Sequence, residues 1–123
     1  MTKAQQVLWV LLLTVVWPLI HLAVFALRFG HLPASMISQA WVFLPMGLLS
    51  AITLVVLMSV APSRASRLGS MVGYVLAAPV AFLGSLVGGL VFEPWLAAIV
   101  YGALPLMVGA AVGFFVGRFW DRG

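Results

Sequence analysis

The chain has 123 residues, 65% of them hydrophobic and 7% charged, whereas a soluble domain carries about 25% charged residues. It has no cysteine, which excludes disulfides, thiolate metal sites and thiol redox chemistry. Six Lys and Arg against two Asp and Glu give a net charge of +4, but the basic residues stand at the ends of apolar runs, so they point to a membrane surface and not to nucleic acid.

Four apolar runs follow one another: Val7–Phe29, Ala40–Val60, Ser70–Phe92 and Trp95–Gly117. Each has the length of about 20 residues that a helix needs to cross a bilayer core. The expectation is an all-α membrane protein, one domain of four transmembrane helices in an antiparallel bundle. No length remains for a catalytic domain outside the bilayer.

The first run opens at Thr2-Lys3-Ala4-Gln5, which has the spacing of a capping box. Lys3 ahead of an apolar run, with Val24-Phe25-Ala26 as a small-residue site, has some likeness to a signal peptide. The run is longer than the 7–15 residues or so of a signal core, however, so an uncleaved span is expected. Within it lie Trp17, Pro18 and His21, the one ionisable group well inside any run. Gly30-His31-Leu32-Pro33 should stop the helix, and Ser35 or Ser38 should cap the next.

The second run carries Ser50 and Thr53 near its middle. Counted from the span centres, His21 lies about 4–5 Å to one side of the midplane, Ser50 near it, and Thr53 and Thr14 slightly to the other side. With Trp17 one turn before His21, these five residues form a candidate polar cluster. It can be a proton relay, a quinone or haem contact or a substrate site, or it can be a neutral histidine bonded to Ser or Thr across a helix pair. The structural reading is preferred. Haem ligation by one chain is disfavoured, because His31 lies about 15 Å further along the helix direction. No cofactor or metal is expected.

Ala61-Pro62-Ser63 ends the second run, and Ser63–Arg67 reads as a small basic loop suited to anionic lipid. The third run has small residues at every fourth position: Gly69, Gly73, Ala77, Ala81, Ser85 and Gly89. The fourth repeats the spacing at Gly109, Gly113 and Gly117. In lipid, small residues drive association by letting backbones approach, so these faces should touch. Steps of four drift by about 40° each, and five steps turn the third-run ladder through about 200°. It should therefore meet the fourth helix at one end and the second helix, or another subunit, at the other, which makes the third helix central. Glu93-Pro94 reads as a very tight turn between the third and fourth helices.

Pro18, Pro79 and Pro105 lie near mid-span and would free the carbonyls of Thr14, Val75 and Tyr101. Three kinks at one depth can make a midplane cavity or hinge, though neighbouring helices commonly re-satisfy such groups.

Lys3, Arg64, Arg67, Arg118 and Arg122 share one side in a four-span topology, and Arg28 is alone on the other. The positive-inside rule then puts both termini in the cytoplasm, in a cell inner membrane. Trp41 and Trp95 fall at the outer interface and Trp9 and Trp120 near the inner one. Arg28 and Glu93, both at the outer interface, should form an ion pair.

The size and span count resemble small multidrug transporters and fluoride channels. The first family relies on a glutamate in mid-span, where this chain has Leu13, Thr14 and Val15; the second relies on pore asparagines, and this chain has none. Holins too can be small, polytopic and glycine-rich with basic tails. No family is assigned. No catalytic triad, carboxylate pair or phosphate-binding loop is present, so no enzyme activity is expected. The reading is a non-catalytic membrane protein that packs through small-residue faces with itself or with another membrane protein. The alternative is a small oligomeric transporter or channel for an ion, solute or lipid, and a weaker one is a holin-like pore former.

Overall fold

The computed structural model describes residues 2–31 and 34–122, and over these residues the protein is entirely helical. The helix stop at Leu32-Pro33 lies outside the described residues, as do the side chains of Ser35 and Arg122. Helix α1 spans Lys3–Phe29, and a six-residue α2 spans Ala34–Gln39. A 3-10 turn over Ala40–Val42 leads into α3, Phe43–Val60. Helix α4 spans Arg64–Gly88. A four-residue α5, Pro94–Ala97, runs through a π-helical segment, Ala98–Ala103, into α6, Leu104–Arg122. Four stretches are long and apolar enough to cross a membrane: Lys3–Phe29, Ala40–Val60, Arg64–Gly88 and Pro94–Asp121.

The helix ends have local causes. Thr2 accepts from the Gln5 backbone N–H while Gln5 accepts from that of Thr2, the reciprocal capping box expected from the sequence. Gly30 closes α1 in the left-handed conformation (φ 74°), and its N–H donates to the Ala26 carbonyl at 2.8 Å. Ser35 and Ser38 lie inside α2, and α3 begins after Val42. Pro45 sits in the first turn of α3, where a missing N–H costs little.

Two boundaries differ from expectation. Ser63–Arg67 is not a loop: Ser63 and Ser66 form a second capping box, and Arg64 and Arg67 occupy the opening turns of α4. Positive charge there opposes the helix dipole, and the capping box offsets part of that cost. At the other end α4 stops at Gly88 and does not reach Phe92. Residues 89–92 turn on themselves, with Val91 and Phe92 N–H groups both donating to the Gly88 carbonyl. The α4–α5 connection is therefore a five-residue turn, longer than Glu93-Pro94 alone.

Glycines set the tightest packing. A Cβ on Gly69 would overlap the Gly113 carbonyl, and one on Gly73 the Gly109 carbonyl. One on Gly117 would overlap the Ala65 carbonyl. The contacts run in opposite chain order, so α4 and α6 lie side by side in opposite directions, backbone on backbone. The seam continues at Gly84, where a Cβ would stand 2.9 Å from the Tyr101 carbonyl, and at Gly88, against the Tyr101 ring.

The ladder residues leave the fourth helix after Ala77, as their drift predicts, while other glycines of α4 carry the seam on. Contact passes from Gly73 and Ala77 to Gly84, and the seven-residue step turns back by about 20° where steps of four advance about 40°. Ala81 and Ser85 fall off the seam and are buried. Helix α3 packs on α1, α4, α6 and the π segment, and α4 packs on α6, the π segment and α3 and reaches α1 through the Tyr74–Trp17 bond.

Candidate functional site

Mid-depth polar groups form a linear chain between three helices. Trp17 Nε1 on α1 donates to the Tyr74 hydroxyl on α4 at 2.8 Å. The Tyr74 hydroxyl lies 3.2 Å from Ser50 Oγ on α3, and Ser50 donates to the Gly47 carbonyl at 3.1 Å. With the single Ser50 hydrogen on Gly47, the Tyr74 hydroxyl donates to Ser50, and each group in the chain is used. Such a fully satisfied buried network fixes helix positions, and each bond in a helical membrane protein contributes about 0.6–1.7 kcal/mol.

The expected cluster is thus corrected in membership. Trp17 and Ser50 belong together, through Tyr74. Thr14 donates to its own helix at Val10, 2.6 Å, and Thr53 to its own helix at Leu49, 3.0 Å; neither joins the others. Nor is His21 bonded to a serine or threonine. It is only 3% exposed, and both its ring nitrogens are buried without a hydrogen-bond partner.

His21 sits instead in a run of aromatic rings. Its centroid is 4.7 Å from that of Phe25 and 4.7 Å from that of Phe43. The run extends to Phe29 at one end and, by the Phe43–Phe82 stack at 6.2 Å, to α4 at the other. Helical spacing explains the α1 part: residues 21, 25 and 29 lie on one face. The 3-10 turn before α3 brings Val42 and Phe43 against that face. Beside His21 lies an open cleft of about 340 Å3, bordered also by Val42, Phe43, Ser85, Leu86 and Gly89, with Pro94 and Ala98 closing the far side.

Pro18 borders a separate apolar groove with Ala40, Trp41 and Leu44. Pro105 follows the π segment, in which Leu104 N–H donates to the Ile99 carbonyl, one residue further back than in an α-helix. Such widened turns are a known site of helix bending. Two of the carbonyls that proline frees are met by glycines of a neighbouring helix. A Cβ on Gly47 would lie 2.7 Å from the Thr14 carbonyl, and Gly84 faces that of Tyr101. Glycine there lets the neighbouring backbone close over the freed oxygen.

Arg28 and Glu93 are both exposed, and no ion pair joins them or any other described residues. The expected pair is not formed; α1 packs mainly on α3. The described residues hold no group of three or more His, Asp or Glu that could bind a metal. Arg64, Arg67 and Arg118 are exposed. Arg67 also borders a cleft with Gln5, Trp9, Met58 and Ser59, where the ends of α1, α3 and α4 meet. Trp9, Trp41, Trp95 and Trp120 are exposed near the helix ends, whereas Trp17 is buried.

The sequence alone does not single out Tyr74. It becomes legible once α4 is seen to start at Arg64, because residue 74 then lies near mid-helix, where a polar aromatic tip needs a partner. Phe25 and Phe43 gave no separate signal among eight phenylalanines. No family model, curated protein or solved structure matches the chain.

Proposed function

We propose that the chain is a non-catalytic, four-span protein of a cell inner membrane, with both termini cytoplasmic, that acts by helix packing as a homo-oligomer or as an accessory subunit of a larger membrane complex. The observation that carries this reading is the α4–α6 seam. Its inward glycines hold the pair together, and the same glycines leave an apolar groove of about 500 Å3 along the pair's outer surface. That groove is floored by Gly69, Gly73, Gly109 and Gly113 and rimmed by Val72, Leu76, Val112 and Val116. A groove rimmed by branched side chains over a glycine floor suits a helix of a second copy or partner, since close approach drives association in lipid. The orientation rests on five basic residues at the termini end of the bundle against Arg28 at the other.

Two measurements test this. Topology reporters fused at each terminus should both report the cytoplasm; opposite reports would overturn the orientation. In mild detergent the wild type should migrate as a defined oligomer or carry a stoichiometric partner. Leu76→Trp with Val112→Trp, which fill the groove without touching the seam, should release a folded monomer. A wild type that is already a lone monomer would contradict the packing role.

The alternative, a small transporter or channel for an ion, solute or lipid, has one observation in its favour: a buried histidine without partners beside an open cleft.

A further inference from the structure

Arg67 carries a charge that the described residues leave unanswered. It stands in the opening turns of α4, where positive charge opposes the helix dipole. Its guanidinium makes no ion pair and no hydrogen bond among the described residues. The chain has only two acids, Glu93 at the α4–α5 turn and Asp121 at the end of α6. The cleft that Arg67 borders, about 310 Å3 between the ends of α1, α3 and α4, is otherwise lined by Gln5, Trp9, Met58 and Ser59. Gln5 Oε1 is taken by the Thr2 backbone N–H at 3.0 Å, which leaves the Gln5 side-chain amide hydrogens unspent. The Trp9 indole N–H has no partner among the described residues. Ser59 gives its hydrogen to the Val55 carbonyl at 2.7 Å and accepts from Gln6 at 2.9 Å. Met58 offers only a weakly accepting thioether.

The unspent side-chain groups at this cleft are therefore donors on Gln5, Trp9 and Arg67, all three exposed, and one of them is charged. Such a set asks for an anion rich in acceptor oxygens, and a guanidinium matches two oxygens of one phosphate. The setting indicates the source of that phosphate. The cleft lies among the ends of helices long and apolar enough to span a membrane, and Trp9 stands about two turns into α1, the level at which indole rings meet headgroups. A zwitterionic headgroup would bring an ammonium to a site that has no carboxylate. We propose that this cleft binds the headgroup of an anionic phospholipid, with phosphate oxygens accepting from Arg67 and further headgroup oxygens accepting from Gln5 and Trp9. Free phosphate shares this chemistry, and the test separates the two. The proposal needs the chain to span a bilayer and is independent of its orientation and oligomeric state.

The test reconstitutes the full chain in vesicles of phosphatidylcholine and phosphatidylglycerol in equal parts, extracts it in mild detergent, and weighs the retained lipid by native mass spectrometry. About one phosphatidylglycerol per chain should be retained in preference to phosphatidylcholine, and inorganic phosphate should not displace it. Arg67→Gln should lower the ratio of phosphatidylglycerol to phosphatidylcholine at least about fivefold. Because Arg67 is exposed and opposes its own helix dipole, the variant should fold, with helix content as the check. Arg118→Gln removes an equal charge at the same end of the bundle but away from the cleft, and should leave the ratio unchanged. Trp9→Phe keeps a ring, removes the indole donor and should lower the ratio about twofold or more. Equal retention of the two lipids, an unchanged ratio in Arg67→Gln or in Trp9→Phe, or an equal loss in Arg67→Gln and Arg118→Gln would each overturn the proposal. Displacement by inorganic phosphate would overturn it too, since the cleft would then be a site for a soluble anion.

Discussion

The two halves of the bundle are held by different means. In α4–α6, glycines bring the backbones into contact, with Gly69 on Gly113 and Gly73 on Gly109, and no side-chain hydrogen bond crosses the seam among the described residues. In the half that contains α1 the helix is mostly exposed along its length. Its packing on α3 includes the close approach of Gly47 to Thr14 and the His21–Phe43 ring contact, and polar bonds add to this: Trp17 to Tyr74 of α4 in mid-bundle and Gln6 to Ser59, 2.9 Å, at the termini end. Lipid explains why both devices exist. Apolar side chains gain little by leaving hydrocarbon for one another, so helices are joined by fine-grained packing or by polar bonds. The first device is intolerant of volume; the second is intolerant of losing one atom.

Substitutions that attack each device separately should show this. The largest effect is expected from Gly113→Leu. Its side chain would have to displace the Gly69 carbonyl of a backbone that has no room to give, costing about 3 kcal/mol or more. The check is the yield of folded protein and the denaturation midpoint in detergent. A near-wild-type midpoint would mean that the seam is not formed.

Tyr74→Phe should come next. It keeps the ring and strands the buried Trp17 N–H, at about 1–3 kcal/mol. Trp17 fluorescence should shift together with the loss of stability, and a shift without any loss would show the bond to be incidental. Ser50→Ala leaves Tyr74 accepting from Trp17 but strands the Tyr74 hydroxyl hydrogen, which can rotate toward the Gly47 carbonyl that Ser50 vacates, and should cost about 1 kcal/mol. Exchanging Glu93 for Gln or Arg28 for Gln should lie within about 0.5 kcal/mol, as both are exposed and unpaired. A clear loss in only one of those two would reveal a contact made in lipid.

The sequence was most readable where the signal is carried by residue size or by helix ends. The Thr2–Gln5 cap, the Gly30 stop and the small-residue spacing of Gly69, Gly73, Gly109 and Gly113 are local patterns, each with one physical meaning. It was least readable where partners come from three helices. Tyr74 joins Trp17 and Ser50 only because α4 starts six residues earlier than the apolar run does, at a serine cap that hydropathy does not register. The small-residue ladder drifts off the seam after Ala77, as its four-residue spacing implies. What the spacing did not show is that the seam itself continues, by a seven-residue step past Pro79, to Gly84. Depth alone grouped His21 with Thr14 and Thr53, but their hydroxyls turn back onto their own helices, as Ser and Thr commonly do. The unmade Arg28–Glu93 pair has a similar lesson: a shared end of the bundle is not a contact.

The account rests most heavily on α4 and α6 lying antiparallel and glycine-to-glycine within one chain. A chain without cysteine allows this to be tested in native membranes by placing one pair at Val72→Cys and Val112→Cys, which border the same groove. Mild oxidation or a short bifunctional thiol reagent should join the two within a single chain, giving a monomer of altered mobility. A product formed only between chains, or no product where Val72→Cys paired with Val100→Cys does react, would contradict it.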